Sequence, residues 1–262
     1  MRQGMQAESP PAAGLDSAAE LRIAWILAGL VLMTLLAVKP LGGIPYIGAL
    51  GFTLAAGLQL YMPIWRAEKH GLDYDAIGLH LHAWRQDLKN VAWLCLLTYP
   101  PFALGHHLYV TAGAQWAAHL GLDALQPYIP QMALGPRWPQ GAGEWFAATA
   151  WLLELTAVNM LGVALPEETF YRGYLQPRLQ QQWPTSRRIA GVPLGRAAVV
   201  TAALFALGHF LGEWNPLRWG PFFPALLFAW LRNATGSIAG AVFFHGLCNV
   251  FGRLLFALYQ PI

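Results

Sequence analysis

Charge is what this sequence has least of. Asp, Glu, Lys and Arg make up 11% of its 262 residues, against roughly 25% in an ordinary soluble domain. A chain of that length buries a good core, but it cannot cover a water-facing surface with so few ions, which excludes a soluble globular protein. Cysteine is scarce too. Cys95 and Cys248 are the only two, both within apolar runs, so there is no disulfide framework and no cysteine at metal-ligand spacing from another. Both are expected to be small buried thiols. The formal charge of +3 is too small to imply nucleic acid, and the basic residues read as topology determinants instead. No internal repeat is visible, which counts against the repeat-built architecture of many transporters.

What the sequence has in abundance is apolar residues, 56% of the total, with twelve Trp, nine Tyr and thirteen Phe. Apolar runs of roughly 17–25 residues mark transmembrane helices. They fall near 21–38, 44–65, 88–110, 145–165, 196–210, 217–232 and 236–258. The expected fold is all-α, a polytopic transmembrane bundle of about seven helices (six to eight) with its reactive residues converging on an intramembrane cavity. Pro100 and Pro101 are expected to kink the third helix, which neighbouring helices make tolerable. Residues 1–20 are polar and rich in Ala, Pro and Gly, which predicts a disordered tail. The apolar run that follows has no small-residue cleavage site and is expected to be an anchor. Residues 21–140 then form N-terminal helices and connections, and 141–262 a core carrying the motifs.

Lysines and arginines set the orientation. Arg66, Lys69, Arg85 and Lys89 cluster in 66–89, and Arg172, Arg178, Arg187, Arg188 and Arg196 in 172–196, whereas 111–144 has only Arg137 among interfacial tryptophans. Both basic segments are therefore expected in the cytoplasm, with the N-terminus on the same side. Short loops and compact length suit a multi-pass protein of a bacterial inner membrane.

Against this background Pro166-Glu167-Glu168-Thr169-Phe170-Tyr171-Arg172 stands out. Ionised groups at membrane depth cost about 2.5–3.5 kcal/mol each even on the mildest insertion scale, and so mark candidate functional sites. A proline followed by two acids also suits a plain helix start. Glu168 and Arg172 are four apart, so on a helix they share a face and pair. Glu167 is turned by about 100° from Glu168 and is left free to act as a base.

Two histidines lie in similar settings, within Phe205-Ala206-Leu207-Gly208-His209 and Phe244-His245-Gly246-Leu247-Cys248-Asn249. Glu167 and His209 are each about 21 positions from residue 188, inside the basic connection 183–196. A helical hairpin turning there brings them to the same depth. His245 and Asn249 share one helix face. They suit an oxyanion site, where fixed donors meet developing negative charge, or a structural role in which buried polar groups pair across helices.

In this order on successive apolar helices, E-E-x-x-x-R, F-x-x-x-H and H-x-x-x-N resemble the CPBP family of intramembrane proteases, which includes the Ras-converting CAAX prenyl endopeptidases and the bacterial ABI group. The resemblance covers about residues 145–255. It implies Glu167 as the general base that activates water, His209 as its partner in holding that water, and His245 with Asn249 as the oxyanion-stabilising pair. Glu168 and Arg172 are implied as a supporting ion pair. The implied substrate is a membrane-associated protein or peptide, cut near its prenylated or otherwise anchored C-terminus.

Two alternatives stay open. Glu167, His209 and His245 make a chemically sensible three-ligand zinc set with one position left for water. The metal-free route is favoured, and no cofactor is expected, because Asn249 fits a donor role and no H-E-x-x-H helix is present. A non-catalytic membrane chaperone or transporter that keeps these residues for structure is the other. Residues 210–216, with Glu213 and Trp214, are expected to fold over the cavity as a lid.

Overall fold

Alternating polar breaks and apolar runs become seven long helices among the described residues of the computed structural model, which describes residues 18–41, 44, 46–136 and 138–261. They are α1 (Ala18–Leu41), α2 (Ile47–Lys69), α3 (Trp84–His119), α4 (Ala142–Gln182), α5 (Arg196–Glu213), α6 (Phe222–Thr235) and α7 (Ala239–Phe256). Most of the expected polar tail, residues 1–17, and the lone basic residue of the third connection, Arg137, lie outside the described residues.

Five helices, α1, α2, α4, α5 and α7, are long and apolar enough to cross a membrane. Seven spans were expected. The 14 residues of α6 reach only about 21 Å at the α-helical rise, short of a hydrocarbon core of about 30 Å. In α3 the apolar run is interrupted by Tyr99-Pro100-Pro101 and again by His106-His107, although the helix continues through both prolines.

The largest departure from expectation is α4. A break near residue 165 was expected, with Pro166 opening a new helix, yet 41 residues run through it without interruption. The proline is absorbed by geometry. Proline has no N–H and its ring collides with the carbonyl four residues back. Val158–Ala164 is a wide π turn, in which the Leu165 N–H reaches back five residues to the Met160 carbonyl. A second π turn, Thr169–Leu175, precedes Pro177 in the same way, with Gln176 N–H bonded to Tyr171 O. Such turns occur as bulges within α-helices, often at functional sites.

Packing divides α4 sharply. No residue of Ala142–Ala157 is buried, and Phe146, Leu153 and Leu161 are more than half exposed, a surface suited to lipid. From Thr169 to Leu175 every residue is buried. Here α2, α5 and α6 close around the helix. At Gly173 a Cβ would stand 2.5 Å from the Ile77 carbonyl, so glycine lets the short 3₁₀ turn Tyr74–Ile77 press onto α4. A buried polar knot ties the same region to the first two helices. Arg66 of α2 pairs with Glu20 of α1, His70 stands 2.9 Å from Glu20, and Tyr174 of α4 donates to Glu20 Oε2 at 2.8 Å.

Short strands fasten the connections. β1 (Met132–Leu134) pairs antiparallel with β4 (Tyr259–Pro261), and β2 (Arg188–Ile189) with β3 (Val192–Pro193). The β2–β3 hairpin sits where the α4–α5 turn was expected.

Candidate active site

The site forms where the buried half of α4 meets α5, α6 and α7. Glu168 and Arg172 are fully buried. Arg172 Nη1 donates to Glu168 Oε1 at 3.0 Å, the i, i+4 pair expected from the spacing. Its Nη2 donates to the Ala225 carbonyl at 2.9 Å. One turn on, Gln176 donates to the Ala229 carbonyl at 3.2 Å and to Asn233 Oδ1 at 2.9 Å. Arg172 and Gln176 are four apart on α4, Ala225 and Ala229 four apart on α6, and both alanines have no exposed surface. Small side chains let the helices approach closely, and the long polar side chains then bond the facing backbone. Three rings close over the guanidinium, with Phe205, Phe228 and Tyr171 centroids 4.8, 5.1 and 5.7 Å from Arg172 Cζ.

His245 joins the two glutamates. Its Nδ1 lies 2.9 Å from Glu168 Oε1 and its Nε2 3.7 Å from Glu167 Oε2. Glu168 Oε1, which also takes Arg172, accepts from Nδ1–H, and this orients the ring with Nε2 toward Glu167. Phe228 stacks on the imidazole at 4.7 Å, and Phe205 meets it edge-on at 5.6 Å. Glu167 keeps a side chain 20% exposed, while its Oε2 is buried and makes no hydrogen bond.

His209 is half-buried on α5. Its Nδ1–H donates to the Phe205 carbonyl at 3.0 Å, which leaves Nε2 as the acceptor. Phe205 also packs against the His209 ring at 4.5 Å. The equal-depth expectation from the hairpin holds for the helices: Tyr171 of α4 packs edge-on against Phe205 of α5 at 5.3 Å. The expectation that Glu167 and His209 face each other as partners is not met by direct contact, since no hydrogen bond or ion pair joins them among the described residues. The shared partner of the carboxylates is His245. Asn249 follows His245 by one turn of α7 and is half-buried.

The α5–α6 connection lies beside this cluster. Trp214 ends α5 in the left-handed region at φ 53°, and Asn215 Oδ1 caps the 3₁₀ turn Pro216–Trp219. Arg218 Nη2 meets Glu213 Oε1 at 2.5 Å, and Phe210 stacks on Trp219 at 6.0 Å. Arg218 is within electrostatic reach of both Glu167 and His209.

Zinc was the open alternative, with Glu167, His209 and His245 as ligands. Among the described residues, no three His, Cys, Asp or Glu side chains are gathered as a metal ion would need. No chemical step is routed through an ion.

Sequence reasoning missed Ala225, Ala229, Gln176, Phe228 and Arg218. The signal for the first three was present, as two small residues four apart on one helix and two long polar residues four apart on another. Phe228 had no such signal. Arg218 was passed over because the lid was drawn to end at residue 216.

Fold and site together define an integral membrane protein with a carboxylate–imidazole cluster buried between helices. Comparison adds a likeness over part of the chain: residues 149–251 match the family described as Type II CAAX prenyl endopeptidase Rce1-like. That segment contains all six motif residues and bears out the resemblance drawn from them. No curated protein and no solved structure matches the chain.

Proposed function

We propose that this protein hydrolyses a peptide bond at the membrane with water activated by Glu167, close to the prenylated (CAAX-like) or otherwise anchored C-terminus of its substrate. The observation that carries the reading is the division of labour between adjacent acids. Glu168 Oε1 takes both Arg172 and His245, leaving only its Oε2 bare, whereas the Glu167 carboxylate makes no hydrogen bond among the described residues and stands 3.7 Å from His245 Nε2.

Glu167 takes a proton from water, whose oxygen attacks the substrate carbonyl. His209 holds that water through Nε2, because its other nitrogen is committed to Phe205. The negative charge that develops on the carbonyl oxygen is met by Asn249 and by protonated His245, whose counter-ion is Glu168. Donors fixed before the reaction stabilise such charge without reorganising. Glu167 then passes its proton to the departing amine, and the C–N bond breaks. This route needs no metal, so activity that persists in protein shown by elemental analysis to hold no stoichiometric zinc supports it, and activity restored only by zinc overturns it.

The deciding experiment is Glu167→Gln in reconstituted protein and in cells. Cleavage is expected to disappear while the protein stays folded and inserted. Processing that survives the change favours the chaperone or transporter reading. For topology, the basic segments 66–89 and 172–196 support a cytoplasmic N-terminus in a bacterial inner membrane, which reporter fusions at each connection would test. The Glu213–Arg218 clasp supports a lid over the substrate entrance.

A further inference from the structure

Away from the catalytic cluster, two cavities of opposite character meet at one tryptophan. The first, about 470 Å³, opens at the start of α3 and is lined by His82, Ala83, Trp84, Arg85, Gln86 and Lys89. The second, about 580 Å³, is an apolar groove between α3, α4 and α7, walled by Leu81, Leu88, Val91, Met160, Leu165 and Phe243 among others. Both volumes fall in the ~300–1,000 Å³ range of small-molecule sites. Trp84 lines both, so the polar mouth and the apolar groove share one wall.

Of the basic residues in the mouth, only His82 stands near an acid, 3.6 Å from Asp75 Oδ2. Arg85 and Lys89 are exposed, and neither forms an ion pair among the described residues; the Arg85 guanidinium rests over the Trp84 ring at 5.2 Å. In the groove the one acid, Asp87, is turned inward, where its Oδ1 accepts from Thr235 at 2.8 Å. The groove is open sideways rather than capped, since Leu81 is 67% exposed and Leu88 50%. In a membrane-spanning bundle such an opening faces acyl chains. Two unpaired cations and an interfacial tryptophan above an open apolar slot complement one molecule, an amphiphile with an anionic head. Clusters of Lys and Arg beside a membrane helix attract anionic lipid.

We infer that this composite pocket binds an anionic phospholipid, with its phosphate against Arg85 and Lys89 and one acyl chain in the groove behind Trp84. The chain would lie against Met160 and Leu165. Met160 belongs to the first wide turn of α4, and Leu165 stands two residues before Glu167. The lipid is thus a wall for the helix that carries the catalytic acids.

Native mass spectrometry of the full chain, loaded in detergent with phosphatidylglycerol or phosphatidylcholine, tests this without reference to turnover, so its failure leaves the protease reading untouched. Phosphatidylglycerol is expected to be retained preferentially. Arg85→Gln and Lys89→Gln should each weaken that preference about fivefold, the factor for one cation lost near an anionic surface. The charge-keeping pair Arg85→Lys and Lys89→Arg should preserve it, which separates loss of charge from misfolding. Val242→Trp, which fills the groove from α7, should displace the lipid. Equal retention of the two lipids, or a preference unchanged by removing both cations, overturns the inference. Full displacement of phosphatidylglycerol by inorganic phosphate also overturns it, because the site would then hold a free anion without a tail.

Discussion

His245 Nδ1 lies 2.9 Å from Glu168 Oε1, so the second glutamate serves the imidazole as well as the arginine. The same oxygen takes Arg172 Nη1 at 3.0 Å. A carboxylate that holds a histidine in one tautomer and orientation is a recurring device for keeping the other nitrogen on the reaction side. In the proposed mechanism this makes Glu168 a positioning residue, with consequences distinct from those of Glu167.

Glu167→Gln should lower the cleavage rate by about 10²–10⁴, the usual contribution of a general base, with little change in thermal unfolding. Single-turnover cleavage of a prenylated peptide by the reconstituted enzyme measures the first, and detergent-phase melting the second.

Glu168→Gln should reduce activity by a different route. The amide still accepts one hydrogen bond but no longer balances a protonated His245. The rate of the chemical step should fall while substrate affinity is kept, so kcat declines at nearly constant KM. A decline confined to KM would show that Glu168 does not act through His245.

Arg172→Met leaves Glu168 buried without its cation. Breaking a buried pair by removing one partner costs about 3–5 kcal/mol, and the Ala225 carbonyl also loses its donor. The variant should unfold far more readily in graded denaturing detergent. The double change Glu168→Gln with Arg172→Met should recover part of that loss.

Arg218→Gln and Glu213→Gln should scarcely affect stability, because half-exposed ion pairs contribute only about 0–1 kcal/mol. Each opens the clasp across the α5–α6 connection, so KM and the range of accepted substrates should change more than the melting temperature. Unchanged substrate range in both variants removes the lid assignment.

Much of this was legible in the sequence because it is local. Glu168 with Arg172, and His245 one turn before Asn249, follow from helical spacing alone. The common depth of α4 and α5 follows from counting outward from the basic connection, and Tyr171 against Phe205 shows it. Long-range choices were not legible. Nothing in spacing says that His245 turns toward the glutamates, because that depends on the rotation of α7 against α4, fixed by side chains such as Phe228 on a third helix. Pro166 misled for a related reason. Its local preference is to open a helix, but a wide turn upstream accommodates it at a cost that tertiary packing offsets.

The two wide turns of α4 have a consequence for sequence length. Each holds one residue more than a regular turn of the same helix, so each is a reserve of phase. Deleting one residue within Val158–Ala164 would allow that turn to tighten to an α turn. The lipid-facing half above it and the packed half below it would then each keep their own orientation. A deletion between Glu168 and Arg172 meets the second wide turn, Thr169–Leu175, but it destroys the four-residue spacing on which the Glu168–Arg172 pair depends. A single-residue deletion scan along α4 should therefore find a tolerant stretch ending shortly before Pro166 and an intolerant one beginning at Glu167.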